Sequence, residues 1–142
     1  MIGTLVLSHG CAARELVAAA QKISGSALYV EALCLEWDDS VEAAREKVAT
    51  AISRLDQGDG VLILTDMYGG TPSNVAKTFY AAGKVEILAG VNLPMVLRLA
   101  CRPCGEDDVT VVAQWLQKKA EQSHCLMSER ALRCALAPGD CT

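Results

Sequence analysis

The chain has few aromatic residues, only two histidines and no excess of basic charge. Tryptophan, tyrosine and phenylalanine make up 4% of its 142 residues, so a surface that stacks on nucleobases is not expected. Lysine and arginine number 13 against 17 aspartates and glutamates, which gives a formal net charge of −4. Nucleic-acid binding requires a basic patch, and the basic residues here are scattered. We therefore expect no nucleic-acid partner.

The sequence also lacks a long apolar run. A membrane-spanning helix needs about 18–20 consecutive apolar residues, and Arg98 already interrupts the run 93–101. The segment 1–7 has neither the basic start nor the long apolar stretch of a signal peptide, and it reads as a buried strand. We therefore expect no direct membrane insertion and a cytoplasmic location.

Seven cysteines occur, an odd number that argues against a disulfide framework in a chain without an export signal. Cys101 and Cys104 form a Cys-x-x-Cys pair, which His124 and Cys125 could complete as a zinc site. Structural zinc sites usually show two tight ligand pairs, so no metal is expected and a zinc-stabilised binding module is an alternative. A thioredoxin-like role is disfavoured, because its Cys-x-x-Cys opens a helix early in a βαβ unit. Cys34 and Cys101 are expected to be small core residues.

Apolar runs alternate with segments of helical periodicity along the whole chain. Runs typical of strands buried on both faces occur at 2–7, 28–35, 61–65 and 85–89. Apolar spacing and end signals predict helices over 13–24, 41–55, 71–83, 93–101 and 107–121. This alternation predicts an α/β fold, a single domain with an open, mostly parallel four-stranded sheet and helices on both faces.

In such a sheet, functional residues lie in the loops at the carboxyl ends of the strands. His9 comes directly after the first strand and Asp66 directly after the third. A histidine at this edge is a candidate nucleophile or base, although a solvated loop histidine is the alternative. If the first and third strands are neighbours, Asp66 can accept a hydrogen bond from one ring nitrogen of His9. The other nitrogen is then free to attack.

Glycines near both residues indicate an anion site. Gly10 lets the backbone approach a ligand closely, and Gly69 and Gly70 precede a helix that Thr71 is expected to cap. Backbone N–H groups at such a turn can bind an anion, although a plain strand-to-helix turn is the alternative. The turn lacks the Gly-Lys-Ser/Thr ending of a P-loop, so nucleotide binding is not supported. A nucleophilic imidazole, an orienting carboxylate and an anion pocket are the parts of a phosphoryl-transfer site.

Three segments together resemble the enzyme IIA domain of the mannose-type sugar phosphotransferase system. They are IGTLVLSHG at 2–10, LTDMYGGTPSN at 64–74 and AGVNLPM at 89–95. The resemblance covers about residues 1–120, in the right order and at the right spacing. It assigns 1–122 to a IIA phosphocarrier domain and leaves 123–142 as a C-terminal tail.

The resemblance implies a phosphotransferase that needs no metal or organic cofactor. The matching residue, His9, would accept a phosphoryl group from the histidine-containing phosphocarrier protein and pass it to a IIB component. Asp66 would orient His9, while Thr71 and backbone N–H groups at Gly10, Gly69 and Gly70 would hold the phosphoryl oxygens. Family members are commonly homodimers. A IIA domain contacts only proteins and a phosphoryl group, so the sequence names no sugar.

The chain departs from the family pattern in three places. Ser8 stands where many relatives have threonine, which preserves a hydroxyl, and Cys11 beside the site is unusual. Family dimers can exchange a C-terminal strand, whereas 128–136 read as a short helix, which puts that exchange in doubt. Two other functions are compatible with the same residues. One is a phosphocarrier for a dihydroxyacetone kinase, and the other is a regulatory module whose phosphorylation state controls a partner.

Overall fold

A four-stranded parallel sheet forms the centre of the protein. The computed structural model describes residues 1–25, 29–102 and 105–129. Parallel pairing joins all neighbouring strands, and the spatial order is β2-β1-β3-β4. The strands are β1 (Gly3–His9), β2 (Glu31–Leu35), β3 (Val61–Thr65) and β4 (Val85–Ala89).

In the described part of the chain, five helices cover the two faces of this sheet. The helices α1, α4 and α5 pack on one face and α2 and α3 on the other. They are α1 (Ala12–Ser24), α2 (Val41–Leu55), α3 (Thr71–Lys77), α4 (Leu93–Leu99) and α5 (Val109–Glu121). The predicted α/β fold, with an open parallel four-stranded sheet between two helix layers, is confirmed.

Alternate residues of the central strands enter two separate cores. In β3, Leu62 and Leu64 belong to the core under α1, α4 and α5, whereas Val61 and Ile63 belong to the core under α2 and α3. Successive side chains of a strand point to opposite faces. A strand with helices on both faces must therefore be apolar at every position, and this explains the uninterrupted apolar run of β3.

Several helix ends lie where the sequence predicts them. Ser40 Oγ accepts a hydrogen bond of 3.1 Å from the N–H of Ala43 at the start of α2. Asn92 Oδ1 accepts one of 3.0 Å from the N–H of Met95 at the start of α4. Gly25 ends α1 in the left-handed conformation, with a φ of 65°. Capping oxygens and a left-handed glycine satisfy the backbone groups that a helix end leaves unpaired.

The third helix begins at the predicted residue, Thr71, but its predicted cap and its predicted end are wrong. Its N-cap is Gly70, in extended backbone, and Thr71 is the first helical residue rather than the cap. The helix ends at Lys77 instead of at residue 83. There the N–H and the hydroxyl of Thr78 both donate to Val75 O, at 3.1 and 2.8 Å. These bonds span three residues and tighten the last turn, which stops the helix.

Three further expectations differ from the structure. The second strand begins at Glu31, and residue 28, where the prediction starts, lies outside the described residues. The helical spacing of Ala13, Leu16, Ala20 and Ile23 predicts that Ile23 lies on the buried stripe of α1. Ile23 is instead 62% exposed, because that stripe runs along Ala13, Val17 and Ala20. Cys101 is exposed and therefore no core residue, and Cys34 is half-buried.

The C-terminal tail is described only in part. Residues 127–129 form a helical turn, which includes the first two residues of the short helix predicted over 128–136. The rest of that predicted helix lies outside the described residues. No helix in the described part of the chain is long and apolar enough to cross a membrane.

The core packing predicts the cost of shortening a central side chain. Leu62 is fully buried in β3, so Leu62→Ala removes apolar contacts and leaves a cavity that lowers the free energy of unfolding by about 2–5 kcal/mol. Leu126→Ala is the matched control, because Leu126 is 63% exposed and its loss changes stability by less than about 0.5 kcal/mol. Urea unfolding measures both values. Equal losses in the two variants would contradict this packing.

Candidate functional site

The parallel pairing of β1 with β3 brings His9 and Asp66 together. His9 Nδ1 lies 2.7 Å from Asp66 Oδ2, and the backbone N–H of His9 donates to the same oxygen at 2.9 Å. The other oxygen, Oδ1, accepts a bond of 3.0 Å from the N–H of Met67. The carboxylate is therefore fixed on both sides, and the predicted contact between the two side chains is confirmed in the structure.

The contact with Asp66 decides which ring nitrogen of His9 is available for chemistry. An ionised carboxylate only accepts hydrogen bonds, so the hydrogen-bond network assigns the proton to Nδ1. The lone pair of the neutral ring is then on Nε2. The side chains of His9 and Asp66 are 24% and 22% exposed, respectively. The pair is thus held in place and still reachable from solvent.

The loop after β3 packs directly against the ring of His9. A Cβ atom built on Gly70 would lie 2.6 Å from His9 Cε1 and 3.1 Å from His9 Nε2. Real side chains do not approach so closely, so only glycine fits here. Gly69 is required for a different reason, because its φ of 83° strains any other residue while a Cβ would meet open space.

The same loop presents backbone donors beside Nε2. Among residues 1–25, 29–102 and 105–129, no acceptor pairs with the N–H groups of Gly70 and Thr71. Asn74 holds the loop by donating its N–H to Gly70 O at 2.9 Å and its side-chain amide to Gly69 O at 3.3 Å. Thr71 is exposed at the start of α3. The predicted residues Gly69 and Gly70 thus lie in one loop at the edge of the sheet, and Thr71 begins the helix that follows it.

The turn after β1 is closed by a buried hydroxyl. Ser8 Oγ accepts a bond of 2.7 Å from the N–H of Ala13 and donates to Gly10 O at 3.3 Å. The N-cap of α1, Cys11, makes no side-chain cap bond, so Ser8 satisfies a backbone donor in the first turn of this helix. Gly10 takes a φ of 51°, and its N–H donates to Leu35 O at 2.9 Å. These bonds fix the backbone on both sides of His9.

Trp37 is a site residue that the sequence analysis did not single out. Its indole stacks on the imidazole of His9, with ring centroids 5.5 Å apart and an angle of 22° between the planes. The signal available in the sequence was its place directly after β2, at the same edge of the sheet as His9. The direction of its side chain depends on the turn that follows β2, and periodicity carries no information on that turn.

An ion pair closes this turn. Lys47 Nζ donates to both carboxylate oxygens of Asp39, at 2.8 and 2.6 Å, and Asp39 Oδ2 also accepts from the N–H of Glu36 at 2.9 Å. The hydrogen bond from Lys47 lowers the pKa of Asp39 below its usual range, and the same bond raises the pKa of Lys47. At neutral pH both groups are therefore charged and the turn that carries Trp37 is closed.

The segment 90–94, which follows β4, contacts the end of β3 next to the site. The N–H groups of Gly90 and Val91 both donate to Thr65 O at 2.9 Å, immediately before Asp66.

In the part of the chain that the structure describes, no three His, Cys, Asp or Glu side chains are grouped to hold a metal ion. Cys104, one ligand of the zinc alternative, lies outside that part.

Comparison with known proteins identifies the family. The sequence model of the EIIA-man family, described as "PTS system fructose IIA component", matches residues 3–122. The chain belongs to this family. The resemblance found in the sequence motifs is therefore confirmed, and the protein is a mannose/fructose-type IIA component of the phosphotransferase system (PTS). IIA components of this system are phosphotransfer proteins.

Individual relatives match most of this IIA component. It is 32% identical over 97 residues to the "PTS system mannose-specific EIIAB component" of Escherichia coli K12, which covers 68% of the chain and 30% of that protein. It is 30% identical over 100 residues to the "PTS system fructose-specific EIIA component" of Bacillus subtilis, covering 70% of the chain and 68% of that protein. The mannose/sorbose-specific IIA subunit of Enterococcus faecalis superposes with a TM-score of 0.77 at 26% identity, over 88% of this chain and 93% of that one.

Substitutions at the two loop glycines should distinguish an effect on the position of the His9 ring from an effect on backbone strain. Gly70 has ordinary extended backbone, so Gly70→Ala keeps the fold but pushes the His9 ring away from Asp66. Gly69→Ala leaves the ring in place and lowers the free energy of unfolding by about 1–3 kcal/mol through its positive φ. The ¹⁵N resonances of the imidazole report whether the ring keeps its contact with Asp66, and urea unfolding measures the free energy lost through backbone strain. Parent-like His9 resonances in Gly70→Ala would show that the loop does not confine the ring.

Proposed function

We propose that this IIA component carries a phosphoryl group on Nε2 of His9. It accepts the group from a histidine-containing phosphocarrier protein and passes it to a IIB component for sugar uptake. The observation that carries the proposal is the 2.7 Å contact between His9 Nδ1 and Asp66 Oδ2, which leaves Nε2 as the nucleophile. The names of the relatives, a mannose-specific EIIAB and a fructose-specific EIIA component, favour sugar transport over the regulatory alternative.

Each transfer exchanges one nitrogen–phosphorus bond for another bond to phosphorus. The lone pair of His9 Nε2 attacks the phosphorus atom on the donor histidine, whose nitrogen leaves with the electron pair of the broken bond. The proton on His9 Nδ1 stays in place, so the phosphorylated ring carries a positive charge. The Asp66 carboxylate, already positioned, stabilises that charge without reorganisation. In the second transfer, a nucleophile of the IIB component attacks the same phosphorus atom.

The loop beside Nε2 would hold the oxygens of the phosphoryl group. Among the described residues the N–H groups of Gly70 and Thr71 are unpaired, and with the donor at Gly69 and the hydroxyl of Thr71 they suit an anion at this place. The N–H of Gly10, which the sequence predicts as a further donor, already donates to Leu35 O. The absence of a side chain at Gly70 keeps the loop backbone close to Nε2. A carrier must also release its group, so these donors should favour the transfer geometry over tight binding of the phosphorylated state.

The proposal extends to the domain division, the location and the oligomeric state of the protein. Residues 1–122 would form the carrier domain and residues 123–142 a C-terminal tail. The match of the family to residues 3–122 supports this division. We further propose that the protein acts in the cytoplasm, where its two transfer partners meet it, and that it works as a homodimer.

The two histidines offer a matched test of the phosphorylated residue. His9→Ala should abolish labelling by the phosphorylated carrier protein, because it removes the only imidazole beside Asp66 and the Gly70 loop. His124→Ala removes an exposed imidazole in the tail and should be labelled like the parent. The measurement is transfer of radioactive phosphate, with the label expected to be labile in acid and stable in base. A label that persists in His9→Ala, or an acid-stable ester on Ser8 or Thr71, would contradict the proposal.

Asp66→Asn tests the orienting carboxylate. The change keeps the side-chain shape, but it permits the wrong ring tautomer and removes the negative charge that stabilises the phosphorylated ring. The rate of phosphoryl transfer should fall by about 10²- to 10⁴-fold while the fold persists, by analogy with orienting carboxylates in hydrolases. Asp107→Asn, at an exposed aspartate, is the control of equal charge change. Equal rates in Asp66→Asn and the parent would remove Asp66 from the mechanism.

A further inference from the structure

Trp37 lies on the ring of His9 although it gains little from burial there. Its side chain stacks on the imidazole, with centroids 5.5 Å apart, yet Trp37 as a whole is 82% exposed. Burial of apolar surface is what usually keeps a tryptophan in place. At this position most of the indole remains in water, so another interaction must account for the stack.

The backbone around Trp37 is ordered by several independent contacts. The end of β2 is tied to the residue after His9, because Gly10 N–H donates to Leu35 O at 2.9 Å. The turn over 36–39 is closed by the bond from Asp39 N–H to Glu36 O, at 3.1 Å, and by the carboxylate of Asp39. The stack with His9 therefore rests on a fixed turn, in contrast to a freely moving surface side chain.

The indole lies beside the backbone of Gly10. A Cβ built on Gly10 would lie 3.5 Å from Trp37 Nε1, which is an ordinary van der Waals contact. The positive φ of Gly10, 51°, independently favours glycine. Strand β1 lies between β2 and β3, and the segments after these two neighbours supply Trp37 on one side of His9 and Asp66 on the other.

We propose that Trp37 is a positioning residue that stabilises the positively charged ring of phosphorylated His9. The inference rests on the proposed function, because the ring is positively charged when Nε2 holds the phosphoryl group and Nδ1 keeps its proton. An aromatic face attracts a cation within about 6 Å of its centroid, and indole does so best among the side chains. Asp66 would thus stabilise the charge in the plane of the ring, and Trp37 would stabilise it from the face.

The equilibrium of phosphoryl exchange distinguishes this role from partner docking. The equilibrium constant between the carrier protein and this IIA component depends only on the free energies of the separate proteins. A residue that merely helps the two proteins to associate changes KM and both rates, but leaves the constant unchanged. A residue that stabilises phosphorylated His9 shifts the constant toward the IIA component.

The experiment measures that constant in four proteins by mixing each with the phosphorylated carrier and quantifying both phosphoproteins at equilibrium. Relative to the parent, Trp37→Ala should lower the constant by about two- to fivefold, the effect of an exposed cation–aromatic contact. Trp37→Phe keeps an aromatic face and should restore part of the loss. Tyr29→Ala is the matched control. Tyr29 is also exposed, at 77%, but it precedes β2 whereas Trp37 follows it, so this variant should leave the equilibrium constant unchanged.

A second readout needs no phosphoryl group. The stack should shift the carbon-bound ring protons of unphosphorylated His9 upfield in the NMR spectrum, and Trp37→Ala should remove that shift. An equilibrium constant unchanged in Trp37→Ala, with the parent labelled normally, would overturn the inference and leave the proposed function standing. A parent protein that takes up no phosphoryl group would overturn both. The two failures are therefore distinguishable.

Discussion

The hydrogen bonds of the Asp66 carboxylate are the interaction on which the site depends. One of its oxygens binds both the backbone N–H and the ring of His9, and the other binds the N–H of Met67. These bonds are possible because β1 and β3 are parallel neighbours and end at the same edge of the sheet. The sheet order places β1 between two neighbours, so segments after both can reach the residue that ends it. The chemistry of the site is therefore a consequence of strand order.

Close approach of the backbone is the second constraint on the site. Gly70 has ordinary dihedral angles and is required only because its missing Cβ lets the loop lie against His9. Gly69 is required by its dihedral angles, and a Cβ at this position would meet nothing within 4 Å. Two adjacent glycines thus serve different ends, and the pair allows a short helix to begin directly beside Nε2 of His9.

The sequence predicted the sheet and the His9–Asp66 pair, since both follow from strong local signals. An uninterrupted apolar run such as 61–65 has few interpretations, and polar residues directly after two strands must meet if those strands are neighbours. The end of α3 was missed because the apolar residues after Lys77 keep a helical spacing although they lie in a tight turn. Phe79, for example, packs against the core from this turn. Trp37 was missed because its direction is set by the bonds of Asp39, which are specific to the folded turn.

In the proposed function, His9 must satisfy two opposing requirements. A nucleophile that meets two protein partners has to be exposed, but an exposed histidine rotates freely and loses its orientation. Here the ring is confined by three contacts that leave one side open: Asp66 at Nδ1, the Gly70 loop along the Cε1 edge and Trp37 on the face. Two of these contacts come from the segment after β3 and the third from the turn after β2, so no single segment has to cover the ring. The 24% of the side chain that remains exposed leaves the ring reachable from solvent, as the proposed function requires.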